Sequence, residues 1–131
     1  MSTARSSPNH CNQIEEMDTK AILDHQYEAF DAGNADDILK DFADDAVMIG
    51  PDGVRKGRAA IHAEYTSMFT GLFTSGSYEF ILDAEHVEGE IAFIVWRATS
   101  PTAEVTLGTD TFVGRNGKIV VQTVATKINQ K

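Results

Sequence analysis

Along the first half of the chain the apolar positions recur at helical spacing, and along the second half they alternate. In "TKAILDHQYEAFDAG", Leu23, Tyr27 and Phe30 stand at i, i+4 and i+7, one face of a helix that Asp18 can cap and Gly33 can end. Asn34 caps the next short helix, "ADDILKDFA". Its buried side is Ile38, Leu39 and Phe42, and its first turn carries Asp36 and Asp37 where the helix dipole favours negative charge. "AVMI" predicts a short strand, stopped by Gly50-Pro51-Asp52-Gly53, which combines a fixed φ with two permissive glycines. The clearest amphipathic pattern follows in "RAAIHAEYTSMFTGLF", with Ile61, Tyr65, Met68, Phe69, Leu72 and Phe73 at i, +4, +7, +8, +11 and +12.

After "TSGS" the period is two. "SYEFILDAEHVEG" puts Tyr78, Phe80, Leu82, Ala84 and His86 on one face, with Glu79, Asp83 and Glu85 on the other. "IAFIVWRAT" is apolar almost throughout. "EVTLGTDTFVG" and "KIVVQTVATKI" flank Arg115-Asn116-Gly117, whose Asn-Gly is a strong hairpin signal. Four consecutive antiparallel strands are the economical reading. Strands this apolar on both faces call for a sheet covered twice, by helices on one side and by a second copy on the other, which predicts a homodimer through the sheet face.

Composition narrows the classes. A chain of 131 residues is one domain by length, with a core that needs no staples. Residues 1–16, rich in Ser, Asn, Pro and charge, read as a flexible N-terminal tail, and 17–131 as the single domain. The chain is 42% hydrophobic and 24% charged, and no stretch approaches the roughly 20 apolar residues of a membrane span, so no membrane partner is expected. "MSTARSSPNHCN" has no apolar core of a secretory signal, and Cys11 is the only cysteine. A cytoplasmic location is the expectation. A net charge of −9 argues against nucleic acid and anionic lipid as partners. The acidic residues between Glu15 and Asp52 read as a solvated face.

The order helix, helix, short strand, long helix and four-strand meander is distinctive. With "FADDAVMIGPDGVRKGRAAI" ahead of the long helix and "GTDTFVGRNGKIVVQTVA" near the end, it resembles the SnoaL-like and ketosteroid-isomerase-like branch of the nuclear transport factor two-like superfamily. The resemblance covers about residues 18–128. It implies an α+β, cystatin-like cone: three N-terminal helices packed on a curved, mainly antiparallel sheet that encloses an apolar pocket for a small hydrophobic molecule. Ketosteroid isomerases keep a carboxylate base at the end of the first short strand, where this chain has Gly50, and that departure argues against ketosteroid isomerase activity. Their neutral aspartate, the oxyanion donor, aligns with Asp110. Their helix-one tyrosine falls on Gln26, one residue from Tyr27, and a pocket tyrosine on the long helix matches Tyr65.

The residues themselves add candidates. Asp110 shares its strand face with Gly108 and Phe112, so desolvation should raise its pKa. His86, on the apolar face of its strand, is a possible acid/base partner for it, and a core or interface histidine otherwise. His62, Tyr65 and Phe69 share a helical stripe, which makes His62 and Tyr65 a candidate polar pair at one end of the pocket. Tyr27 is either a core aromatic or a pocket hydroxyl. Met48, Trp96, Phe112 and Gln122 complete the candidate lining, with Gln122 a ligand hydrogen-bond donor. The four histidines show no metal-ligand spacing, and no phosphate loop or nucleophile elbow is present, so neither metal nor cofactor is expected. Two functions follow: a cofactor-free isomerase, cyclase or dehydratase acting on an apolar carbonyl compound through Asp110, Tyr65 and His86, or a non-catalytic binding or dimerisation module.

Overall fold

The computed structural model describes the backbone of residues 8–74 and 76–131 and the side chains from Asp18 onward, apart from residue 75. In chain order it has helices α1 (Pro8–Ala32) and α2 (Ala35–Leu39), strands β1 (Phe42–Gly50) and β2 (Gly53–Lys56), helix α3 (Arg58–Thr70), and strands β3 (Glu79–Glu88), β4 (Ile91–Thr99), β5 (Ala103–Arg115) and β6 (Lys118–Gln130). The strands form one six-stranded sheet in the order β2-β1-β6-β5-β4-β3. Every neighbouring pair is antiparallel except β1 with β6. The sheet is strongly curled and the three helices pack against it, giving the α+β cone.

Element boundaries differ from the sequence pattern in instructive ways. Helix α1 begins at Pro8, well ahead of the Asp18 cap, and proline suits a first helical position because its missing N–H would have no helical partner there. Residues 1–7 of the expected tail lie outside the described residues. Asn34 caps α2 as expected, its side chain accepting from Asp37 N, but the helix stops at Leu39. Phe42 instead opens β1 opposite Ile119, and Ile119 N donates to Asp41 O at 2.7 Å. The Pro51-Asp52 turn joins β1 to β2, a strand the sequence pattern does not reveal, with Gly50 facing Gly53 across it. Gly53 has φ 132, a conformation few residues other than glycine adopt. At the other hairpin, Asn116 and Gly117 have φ 55 and 74, the paired left-handed turn that Asn-Gly favours.

One irregularity reverses a prediction. In β3, Leu82 pairs with Trp96 but Ala84 pairs with Val95, so Asp83 is an extra residue, a β-bulge. A one-residue insertion exchanges the two faces of everything beyond it. Phe80 packs inward against Trp96, with ring centroids 5.4 Å apart, whereas past the bulge it is Glu85 that reaches α1. His86 pairs with Phe93 and is exposed, on the opposite face from the one that plain alternation gives it.

The core lies between the helices and the concave face. Leu23, Ile38, Ile61, Phe73, Val105 and Ile119 are fully buried. Phe30 is the hub of an aromatic cluster, its centroid 5.4 Å from those of Phe69, Tyr78 and Phe80 and 6.4 Å from that of Trp96. Such tilted and edge-on pairs hold the end of α1 to α3 and the sheet.

Candidate functional site

A cavity of about 450 Å³ opens between α1, α3 and the concave face of the sheet. Its mouth is marked by exposed lining residues, Pro51 and Asp52 of the first turn, Ser67 and Gly71 at the end of α3, and Thr126 of β6. Arg55 and Glu64 also line it and pair with each other, Arg55 Nε to Glu64 Oε1 at 2.8 Å.

Buried polar groups meet on its wall. Asp110, 6% exposed, projects from β5 beside Phe112. Trp96 Nε1 on β4 donates to Asp110 Oδ1 at 2.7 Å, and Gln122 Nε2 on β6 donates to Asp110 Oδ2 at 2.7 Å. Gln122 Oε1 in turn accepts from the Tyr65 hydroxyl of α3 at 3.0 Å. Local sequence explains this convergence. Gly108, two residues before Asp110, lies under the indole: a Cβ there would stand 2.3 Å from Trp96 Cε2. The missing side chain lets the ring lie across β5 and aim its N–H at the carboxylate.

Tyr27, half-buried on α1, lines the cavity and donates to Glu85 Oε1 at 2.7 Å, with Lys20 Nζ 2.8 Å from Glu85 Oε2. Gln26, buried beside it, donates through Nε2 to Ile38 O at 2.9 Å and to Asp41 Oδ2 at 2.8 Å.

The structure therefore brings Tyr27, Met48, Tyr65, Trp96, Asp110, Phe112 and Gln122 to one cavity and leaves three candidates elsewhere. Phe69 is core, stacked between Tyr65 and Tyr78 rather than lining the space. His62 is half-exposed and bonds to Asp36 Oδ1 at 2.6 Å. A helix turns by about 100° per residue, so the three steps from His62 to Tyr65 fall about 60° short of a full turn and leave the histidine at the edge of the face. His86 is on the outer face because of the bulge. Gln122 spends one of its amide hydrogens on Asp110 rather than holding both for a ligand. The lining also holds residues not singled out as site residues, among them Gln26, the Arg55–Glu64 pair and the aromatic Phe30 and Phe80. Gln26 had a legible signal, a polar residue at i+3 from Leu23 and i−4 from Phe30 on an otherwise apolar face.

Burial sets the electrostatics. It raises the Asp110 carboxyl from 3.8 to about 6, more than the two N–H donors of Gln122 and Trp96 lower it. Burial also raises the Tyr65 hydroxyl, with help from the Asp110 charge, and raises that of Tyr27, with help from Glu85. Both tyrosines stay neutral, while the raised value of Asp110 brings its change of protonation close to neutral pH. Among the described residues no group of three or more His, Cys, Asp and Glu could hold a metal ion.

The model of the SnoaL-like domain matches residues 23–122. The chain belongs to the SnoaL-like family. Among solved structures, an NTF2-like protein of unknown function from Mesorhizobium loti is 22% identical at TM-score 0.72, covering 86% of this chain and 93% of its own. An NTF2-like protein of unknown function from Burkholderia xenovorans LB400 is 19% identical at TM-score 0.73, covering 87% and 86%. A de novo designed protein with a curved β-sheet is 12% identical at TM-score 0.71, covering 85% and 86%. No curated protein matches the chain significantly. At these identities the likeness shows the fold, and a designed protein among the neighbours underlines that the SnoaL-like cone fixes no chemistry by itself.

Within this SnoaL-like site, Gly50 lines the cavity at the end of β1, where the family resemblance puts a base. A Cβ on Gly50 would meet Val124 Cγ1 at 3.4 Å, ordinary contact, so the backbone there admits a side chain that the sequence does not supply. No helix among the described residues is long and apolar enough to cross a membrane.

Proposed function

We propose that this SnoaL-like protein binds a small apolar molecule in its cone cavity, with Asp110 meeting the polar end of that molecule. The observation that carries the reading is a buried carboxylate, held by two fixed N–H donors, on the wall of an otherwise largely apolar space. In its catalytic form the ligand is an apolar carbonyl compound. Ionised Asp110 takes a proton from the carbon beside the carbonyl and returns it to another carbon of the enolate (isomerisation), to the alkoxide formed when the enolate carbon attacks a second carbonyl of the same molecule (cyclisation), or to a β-hydroxyl that departs as water (dehydration), all without a cofactor. In its other form the cavity binds and does not turn over. Gly50 at the base position, and the distance of His62 and His86 from the cavity, favour the binding form.

Trp96 is the only tryptophan and is bonded to Asp110, so its fluorescence reports occupancy directly. Titration with a panel of apolar naphthyl and decalin compounds should give a saturable change for at least one of them. A flat response to the whole panel would remove the binding reading. Exchange of ketone α-protons for deuterium, present in the parent and absent in Asp110→Asn, would select the catalytic form. The exposed apolar side chains of the sheet's outer face support a homodimer through that face as the partner proposal.

A further inference from the structure

We propose that the cavity is built for a small apolar amine, held as its ammonium ion with the nitrogen against Asp110. This rests on the binding reading above and names the chemistry of the ligand.

The donor and acceptor inventory of the wall points to it. Trp96 N–H is used on Asp110, and both hydrogens of Gln26 Nε2 are used on the Ile38 carbonyl and the Asp41 carboxylate. The Tyr27 hydroxyl is used on Glu85, the Tyr65 hydroxyl on Gln122, and one Gln122 hydrogen on Asp110. The amide orientations follow from chemistry: the partners of Gln26 Nε2 only accept, so the group facing them must be the NH₂. Within this network what remains is one N–H of Gln122; elsewhere on the lining Arg55 keeps its terminal N–H groups and Ser67 and Thr126 their hydroxyls. Against that one N–H stand Gln26 Oε1, the lone pairs of the Tyr27 and Tyr65 oxygens, and the second lone pair on each oxygen of Asp110. A carbonyl, carboxylate or phosphate group brings only acceptors, and at Asp110 it meets a network with more free acceptors than donors. An ammonium brings three donors and no acceptor.

Charge agrees. The lining holds three carboxylates, Asp52, Glu64 and Asp110, against one guanidinium, Arg55, which Glu64 already engages at 2.8 Å. Asp110 has no ion-pair partner among the described residues, and folding has already stripped its water. An incoming cation therefore supplies a missing counter-ion and bears only its own desolvation. Such a cation would also hold Asp110 ionised, opposing the burial that lifts it to about 6. The whole-chain charge of −9 draws cations toward the mouth.

Calorimetric titration with four near-isosteric probes tests this: 2-naphthylmethylamine, 2-naphthylmethanol, 2-acetylnaphthalene and 2-naphthoate. The amine should bind the parent at least about tenfold more tightly than the alcohol or the ketone, as a charge-assisted bond to a buried carboxylate requires, and the naphthoate should bind weakest. In Asp110→Asn the amine should lose that advantage, falling to within about threefold of the alcohol. Equal or tighter binding of the ketone or the naphthoate overturns the amine and leaves the binding reading standing, as does an amine preference that survives Asp110→Asn. Should none of the four bind, both fall. The ranking on the parent decides the question even if the variant does not fold.

Discussion

Burial leaves Asp110 with a folded-state pKa of about 6 against 3.8 for the free side chain, so the folded chain binds that proton more tightly than the unfolded one. The resulting stabilisation is fully present below about pH 4, declines as pH rises, and is gone above about pH 6. Relative to its protonated form, ionised Asp110 costs about 3 kcal/mol at neutral pH. Asp110→Asn keeps the shape without the charge. It should gain up to about 3 kcal/mol over the parent at pH 7.5, the gain fading toward pH 4, as read from urea unfolding at the two pH values. A variant no more stable than its parent at pH 7.5 would mean that the carboxylate is not desolvated as described. Gly108→Ala should act in the opposite sense. Its Cβ would lie 2.3 Å from the indole, so Trp96 must move, and the expected results are a red-shifted emission and a loss of about 1–3 kcal/mol. Asp110 was legible because the family resemblance pointed to it and strand alternation placed it on one face with Gly108 and Phe112. Gly108 as the seat of Trp96 was not, since which indole crosses which glycine depends on the β4–β5 register.

At the scale of elements, helices were read from their stripes and turns from their glycines, but the β3 bulge left no mark in a pattern whose residues fit either face. That single residue, Asp83, is why His86 faces out and Glu85 faces Tyr27. The start of α1 was hidden for a related reason: a stretch without an apolar stripe carries no period to read. The packing of α1 on α2 shows a second device that spacing cannot reveal. His25 bonds Asp41 through Nδ1 and Asp37 through Nε2, the latter at 3.0 Å, so both ring nitrogens face carboxylates. The Asp41 bond, with the charges of Asp41 and Asp37, raises the imidazole pKa above 6.5 against the opposing effect of burial. The clamp's contribution is therefore complete below about pH 6.5 and is lost as pH rises through the higher folded value. His25→Gln should lower Tm relative to the parent most at pH 6 and little at pH 9. A deficit independent of pH would assign the histidine a packing role only.

For the whole molecule, the concave face of the sheet is occupied by the helices while the convex face is not. Ile91, Phe93 and Leu107 are 51%, 40% and 50% exposed, each next in sequence to a residue buried on the concave side. Three large apolar side chains on adjacent strands exceed the scattered exposure usual for a monomer, and they support the proposed homodimer, in which a second copy would cover them. Charge opposes that association, since each copy carries −9, and salt screens the repulsion over a Debye length of about 8 Å at physiological ionic strength. Sedimentation equilibrium at about 20 μM should accordingly give a dimer in 150 mM salt and a lower average mass at 10 mM. Phe93→Glu combined with Leu107→Glu puts two buried charges on each side of the contact and should leave a monomer in either salt. The cavity lining described above belongs to one chain, and a monomer that needs no more than that lining should retain the parent's ligand affinity. A parent that sediments as a monomer at both salts would remove the dimer, whereas a monomeric variant that no longer binds would show that the sheet face shapes the cavity as well as covering it.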